Sequence, residues 1–298
     1  MIIDLKAKMM ILVTGATGNL GKATINSLLN NGTDAKDIAA LIRNETKGTE
    51  LKSNGIQVKL GNYQDFESLR SAFQGVEKLL LVSSSSDIVH RFNQHKNVID
   101  AAKEAGVRHI VYTGFDMKDL QQSTMVDDVQ YHTYTTDYLK QMAVPYTLMN
   151  NTLYADMIPI ICGKDILKNG ISIPAGVGKV PFLPITEMAE ALAVVLTTPG
   201  HENKEYTIAA DTAFSFAEIA DIISGITGTT IAHNQTEVMS YVAQLVQLGA
   251  SEDDAKYLAR FAGAIARGEF ETNKSDVKQL LGRATTSLPD FLRNIYSK

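Results

Sequence analysis

The run Thr14-Gly15-Ala16-Thr17-Gly18-Asn19-Leu20-Gly21 sets three glycines three residues apart, after an apolar run ending at Val13 and before an amphipathic stretch over 22–29. Gly15 permits a tight turn, Gly18 lets the backbone approach a pyrophosphate with no Cβ in the way, and Gly21 lets the following helix pack closely on the strand. Free N–H groups at that helix start, with the positive end of its dipole, stabilise a diphosphate. A glycine turn that binds nothing is the plain alternative, but strand, turn and helix in that order favour a dinucleotide. The end of the second strand distinguishes the two nicotinamide cofactors, because a carboxylate there suits the ribose 2′-hydroxyl and an arginine suits a 2′-phosphate. Leu41-Ile42-Arg43-Asn44 puts Arg43 at that place, with Lys47 as a second cation, so NADPH is expected ahead of NADH. The competing reading is an ordinary surface Arg43, with Glu45 turned back to the ribose.

These residues need a scaffold, and the apolar runs supply one. Runs at 10–13, 38–42, 56–60, 78–82, 109–112 and 146–149 read as strands, with helical patterns between them. The clearest helix spans 87–105, with Ile88, Phe92, Val98, Ile99 and Ala102 on one face and Gly106 as its stop. Alternation of this kind predicts right-handed βαβ crossovers, hence an α/β fold with a Rossmann-type doubly wound parallel sheet. After Met149 the rhythm changes to a loop-rich stretch with short strands expected at 171–173 and 180–183. The predicted division is therefore a nucleotide-binding domain over 1–155, to which a segment of about 180–200 returns, and a smaller C-terminal α/β lobe over 156–298. Ser215 and Glu218 form a capping box ahead of Ile219, Ile222, Ile223 and Ile226, and further helices are expected over 237–248, 251–267, 275–281 and 287–296.

Composition removes other classes. Of 298 residues, 45% are hydrophobic and 20% charged, with 21 Gly and 7 Pro, so the chain is globular rather than disordered or repetitive. The net charge of −5, with both signs interleaved and no basic run, argues against nucleic acid as a ligand. Cys162 is the one cysteine, which excludes an intrachain disulfide and fits a reducing cytoplasm; no Cys or His spacing suggests a metal. The start, with Lys6 and Lys8 before 9–13, imitates a signal peptide until the apolar run stops, and is read as a first strand. No apolar stretch reaches the ~18 residues of a membrane span.

Taken together, residues 14–21, 41–44, Gly61-Asn62-Tyr63, Tyr112-Thr113-Gly114, Val144-Pro145-Tyr146-Thr147, 174–179 and 275–283 resemble the NmrA-like branch of atypical short-chain dehydrogenases. Within that branch the resemblance points to small NAD(P)H:quinone oxidoreductases and triphenylmethane reductases, and it runs nearly end to end. It implies a nucleotide lobe, a smaller C-terminal lobe and a cleft for NADPH and the acceptor. By position it also implies that Gly15, Thr17, Gly18, Asn19, Leu20 and Gly21 hold the diphosphate and Arg43 the 2′-phosphate. Asn62 and Tyr63 then lie near the adenine, Val82, Ser83 and Ser84 flank the nicotinamide ribose, and Thr113 and Gly114 end the fifth strand. The chain departs from the pattern in three places: Phe115 stands where many relatives have a catalytic serine, Asn150-Asn151 replaces Arg-Asn, and the histidine segment at 131–137 carries an extra residue.

The Tyr-x-x-x-Lys pair of most short-chain dehydrogenases is missing, since Tyr131 is followed four residues on by Thr135, Tyr134 by Tyr138, and Tyr138 by Met142. Carbonyl reduction through a lysine-activated phenol, and sugar epimerisation through a keto intermediate, are therefore demoted. A quinone or cationic dye takes hydride at an electron-poor π system and delocalises the charge, so positioning suffices. His132 is the candidate catalytic proton donor, because an ordinary histidine pKa near ~6.5 suits donation at neutral pH; a hydrogen-bonded structural role is the alternative. Phe115, Asn150 and Tyr154 are the candidate acceptor contacts, with plain packing as the alternative. The remaining histidines, His90, His95, His109, His201 and His233, are read as solvated or structural. Two functions follow: a cytoplasmic NADPH-dependent reductase of a quinone or similar aromatic electrophile, or a non-catalytic NADP sensor acting through a protein partner. No nucleic acid or membrane is expected, and a homodimer is left open.

Overall fold

The computed structural model describes residues 9–84, 88–163 and 165–297. Lys6, Lys8 and Asp87 lie outside them. The aliphatic runs form β1 (Ile11–Val13), β2 (Ile38–Ile42), β3 (Gln57–Leu60), β4 (Lys78–Leu81), β5 (His109–Phe115) and β6 (Tyr146–Asn151). Two-residue β7 (Ile171–Ser172), then β8 (Lys204–Ile208) and β9 (His233–Asn234), complete the strands among the described residues. Seven of them make one sheet in the order β3-β2-β1-β4-β5-β6-β8, and β7 pairs in parallel with β9. Every residue of β1 and β2 is buried, as expected of parallel strands covered on both faces. The pairings β1–β2, β1–β4, β2–β3 and β4–β5 are parallel, so the strand order reverses between β1 and β4. In open α/β sheets that reversal opens a crevice at the carboxyl ends of the strands, and ligands bind there.

Helices α1 (Asn19–Asn30), α2 (Thr49–Ser53), α3 (Phe66–Ala72), α4 (Ile88–Glu104) and α5 (Val126–Gln141) connect the first six strands. Leu69, Phe73, Val98, Ile99 and Ala102 join Leu12, Leu79, Leu81, Ile110 and Tyr112 in one buried core. Further along lie α6 (Ile158–Cys162), α7 (Ile166–Asn169), α8 (Ile185–Thr197), α9 (Phe216–Thr227), α10 (Val238–Gln247), α11 (Glu252–Ala266), α12 (Val277–Leu281) and α13 (Leu288–Tyr296). The capping box that starts α9 is formed, with the Ser215 side chain accepting from the Glu218 N–H and Glu218 accepting from the Ser215 N–H.

The segments at 180–183 and 204–208 differ from the sequence expectation. The strand anticipated at 180–183 is absent; Val180 makes an isolated bridge to Phe214 and Leu183 one to Tyr154. Pro181 and Pro184 lack the N–H a ladder needs, which confines this stretch to single bridges. Conversely, β8 was not anticipated: its alternating polar and apolar residues are an edge-strand pattern with little apolar run to betray it.

The chain divides into two compact units that interleave in sequence. One comprises Met1–Phe115, Tyr131–Asn150 and Met188–Tyr206, and the other Asp116–Gln130, Asn151–Glu187 and Thr207–Lys298. In the second unit the largely buried Glu187 carboxylate accepts from the Arg283 guanidinium at 2.5 Å and from the Thr286 N–H at 3.0 Å, a charge-assisted clamp on the segment before α13. Among the described residues no helix is long and apolar enough to cross a membrane.

Candidate functional site

Thr14, the residue that closes β1, ties the ends of β1 and β4 together. Its N–H and its hydroxyl both donate to the Leu80 carbonyl, at 3.0 and 2.9 Å, and its Oγ1 accepts the Val82 N–H at 2.9 Å. The Tyr63 hydroxyl completes the knot, 2.5 Å from Thr14 Oγ1 and 3.0 Å from the Val82 carbonyl. Burial pushes the Tyr63 phenol well above its ordinary pKa, so it stays protonated and can only donate one proton into this knot.

The glycine turn is laid on that base. Gly15 has φ +59°, and the Gly18 N–H donates back to its carbonyl at 2.9 Å. A Cβ on Gly21 would sit 2.3 Å from that carbonyl oxygen, so only glycine lets α1 start where it does. The N-cap of α1 is Gly18, with no side-chain hydrogen bond to the first N–H groups and no acidic residue in the first turn. Donors and dipole are therefore left for an anion.

These groups border a cavity of ≈ 300 Å³ whose lining includes Gly15, Thr17, Arg43, Asn62, Tyr63, Val82, Ser83 and Ser84. Arg43 is exposed at the end of β2 and makes no ion pair among the described residues. Glu45, its rival for the ribose, is turned away: its carboxylate holds Lys52 at 2.6 Å, which keeps it below the ordinary carboxylate pKa. Lys47 lines a neighbouring cavity of ≈ 400 Å³ with Thr17 and Lys22. Asn62 turns its side chain onto the Gln64 N–H at 3.1 Å. The structure thus brings together Gly15, Thr17, Arg43, Asn62, Tyr63, Val82, Ser83 and Ser84, while Asn19, Leu20 and Gly21 form the first residues of α1.

The cavity residue Ser83 leads to β5 and α5. Thr113 Oγ1 accepts the Ser83 N–H at 2.8 Å. Asn150 Oδ1 fills the space a side chain at Gly114 would take, 2.3 Å from where its Cβ would be. The His132 ring stacks on Phe115, with centroids 5.6 Å apart and planes 17° apart, and its Nδ1 is 2.7 Å from the buried Tyr112 hydroxyl. Burial, with His95 and Arg91 nearby, holds the His132 imidazole well below its ordinary pKa. It is a neutral ring at pH 7, so the donor it offers is a single imidazole N–H rather than the imidazolium an ordinary histidine would supply. Tyr154 belongs to the second unit, where it is half-buried and bridges Leu183.

Sequence reasoning missed Thr14, Tyr112, Gln94 and His95 as parts of this site. Only His95 left a signal, as a histidine on the apolar face of α4 between Phe92 and Val98; the others are buried by partners distant in sequence.

The residues present fit a dinucleotide: Gly15, Gly18 and Gly21 keep Cβ atoms out of the turn, the start of α1 keeps its donors, and Arg43 makes no ion pair among the described residues at the end of β2. A parallel sheet with this turn at its switch point defines a Rossmann-type dinucleotide-binding protein. Comparison with known proteins narrows the class. Residues 7–292 match the NmrA-like family, and the chain belongs to it. Over 290 residues it is 34% identical to quinone oxidoreductase 2 of Escherichia coli, spanning 97% of this chain and 99% of that one. It is 27% identical to an NAD(P)H azoreductase of Xenophilus azovorans, spanning 95% and 97%. Among solved structures, Citrobacter sp. triphenylmethane reductase complexed with NADP(H) superposes with a TM-score of 0.89 at 33% identity, covering 96% of this chain and 99% of the other.

Proposed function

We infer that this protein is an NADPH-dependent oxidoreductase that delivers hydride to a quinone or a similar aromatic electrophile. The observation that carries the cofactor choice is the pairing of Glu45 with Lys52, which leaves Arg43 as the charged group at the cavity's ribose end. The near full-length likeness to quinone and triphenylmethane reductases supports the reaction class. When bound, NADPH supplies the hydride.

In this reading Gly15, Thr17, Gly18, Asn19, Leu20 and Gly21 hold the diphosphate, Arg43 the 2′-phosphate, and Asn62 and Tyr63 the adenine side. Val82, Ser83, Ser84, Thr113 and Gly114 line the nicotinamide end. Phe115 and Asn150 are the proposed acceptor contacts, and Tyr154 keeps its place as a further candidate. His132 is the proposed catalytic donor, a neutral imidazole that offers a hydrogen bond to the reduced acceptor through the ring nitrogen that does not face the Tyr112 hydroxyl. With no Tyr-x-x-x-Lys pair to polarise a carbonyl, orientation bears most of the catalysis, drawing on the ~7–11 kcal/mol available to well-oriented reactants. The interleaved surface charge and the lone buried Cys162 support a cytoplasmic enzyme without a nucleic-acid ligand.

The test is a fluorescence titration with NADPH and with NADH, followed by addition of menadione while the absorbance of the reduced nicotinamide is followed. Tight NADPH binding and rapid oxidation are expected. Binding without oxidation overturns the reductase in favour of an NADP sensor, and equal affinity for NADH overturns the role of Arg43.

A further inference from the structure

The turn that follows β4 is held from inside by one histidine. His95, on α4, is fully buried, and its Nε2 accepts the Ser84 N–H at 2.9 Å. A ring nitrogen that accepts carries no proton, so the proton is on Nδ1, which donates to Thr135 Oγ1 at 2.8 Å. Thr135 in turn donates its hydroxyl proton to the Tyr131 carbonyl at 2.7 Å. Both nitrogens are spent and the tautomer is fixed. The ring is also wedged edge-on between Tyr112 and Tyr131, at centroid distances of 5.4 and 5.8 Å.

What His95 holds is part of the cavity wall. Ser83, Ser84 and Gln94 line the cavity, the Ser84 hydroxyl donates to Gln94 Oε1 at 2.5 Å, and the Ser83 N–H is taken by Thr113. Two successive N–H groups of the turn are therefore anchored, the first by Thr113 and the second by His95. His95 does not line the cavity.

We propose that His95 is a positioning residue for the nicotinamide half of NADPH, fixing the wall at 82–84 through the Ser84 N–H without touching the cofactor. This rests on the reading above that Val82, Ser83 and Ser84 flank the nicotinamide ribose. Loss of the acceptor breaks the tie between the Ser84 N–H and α4, and a shift of the wall of about 1 Å costs up to ~100-fold in rate when orientation carries the reaction.

Two substitutions separate the two nitrogens. In His95→Gln the side-chain carbonyl reaches the position of Nε2 and keeps the Ser84 bond; in His95→Asn the amide NH₂ takes the position of Nδ1 and keeps only the Thr135 bond. Three quantities are measured for each: the NADPH Kd, kcat with menadione at saturating NADPH, and the Kd of adenosine 2′,5′-bisphosphate, which carries the Arg43 end of the cofactor but no nicotinamide. H95N is expected to weaken NADPH binding and lower kcat each by about tenfold or more while leaving bisphosphate affinity within about twofold; H95Q stays within about threefold of wild type throughout. Ser84→Pro, which deletes the donor and leaves His95 in place, is expected to reproduce the H95N pattern and covers the case in which His95 variants do not fold. Equal behaviour of H95N and H95Q, a parallel loss of NADPH and bisphosphate binding, or a silent S84P overturns the proposal. Wild-type protein that binds NADPH but never oxidises it sinks the reductase reading alone, because the affinity comparison still stands.

Discussion

The glycine turn with Arg43 and the corner around His132 lie in one compact unit but are built on opposite principles. The turn works by what is missing: no side chain at Gly15, Gly18 or Gly21, no acid in the first turn of α1, no partner ion for Arg43 among the described residues. The corner works by pairing, with Tyr112, His132, His95, Thr135 and Tyr131 buried, Tyr112 bonded to His132 and His95 bonded to Thr135. An open site for a charged, hydrated ligand keeps its donors unspent, whereas a buried wall pairs its polar groups with one another. Substitutions in the first region are therefore expected to act on ligand affinity, and those in the second on stability and alignment.

The sharpest way to break the contrast is to fill the turn. Gly21→Val puts atoms into the Gly15 backbone, which cannot rotate aside, and is expected to lower NADPH affinity about 1000-fold or more by calorimetry. A variant that still binds NADPH well would mean the turn is not the diphosphate cradle. Arg43→Ala comes next: a loss of about 30–100-fold for NADPH, or ~2–3 kcal/mol, with NADH affinity changed less than about threefold. Equal losses for both cofactors would remove the 2′-phosphate from that cation.

The buried corner is expected to respond to acid instead. Burial lowers the His95 pKa to about 3 in the folded protein, below the ~6.5 of the unfolded chain, so the native state favours the neutral ring. Its contribution is complete above pH ~6.5 and is lost as pH falls from there towards 3, amounting to about 2 kcal/mol by pH 5. His109, at the start of β5 and bonded through Nε2 to Thr147 Oγ1, has its pKa lowered to about 4 and acts in the same direction. Chemical denaturation at pH 7.5 and pH 5 checks this, and H95Q should reduce the difference while His109 and His132 retain the rest; an unchanged midpoint across that range counts against buried neutral histidines. The smallest effect is Tyr112→Phe, which strips His132 Nδ1 of its partner: about 1–2 kcal/mol of stability by thermal melting, with NADPH Kd within about twofold.

Much of the cofactor side was legible because its signal is local. A strand, a three-glycine turn and a helix are contiguous in sequence, and Arg43 directly follows the five buried residues of β2. Strand β8 was not legible, since an edge strand needs only a half-buried alternation, and 180–183 was over-read, since its apolar residues are interrupted by Pro181 and bounded by Pro184. His132 was picked out by neighbourhood, but its protonation was misjudged: an ordinary pKa is a property of a solvated imidazole, and this one is enclosed by Tyr112, Phe115 and Tyr131.

By itself the sequence determined the α/β alternation, the dinucleotide turn and the missing Tyr-x-x-x-Lys pair, because each is written in residues adjacent in the chain or four apart. Tertiary structure decided which charge is free and which proton sits where. Glu45 was paired with Lys52, His132 was held neutral by burial, and His95 was fixed in one tautomer by Ser84 and Thr135. Those outcomes depend on solvent exclusion and on partners as far as 40 residues away, as His95 and Thr135 are, and neither is encoded in any local pattern.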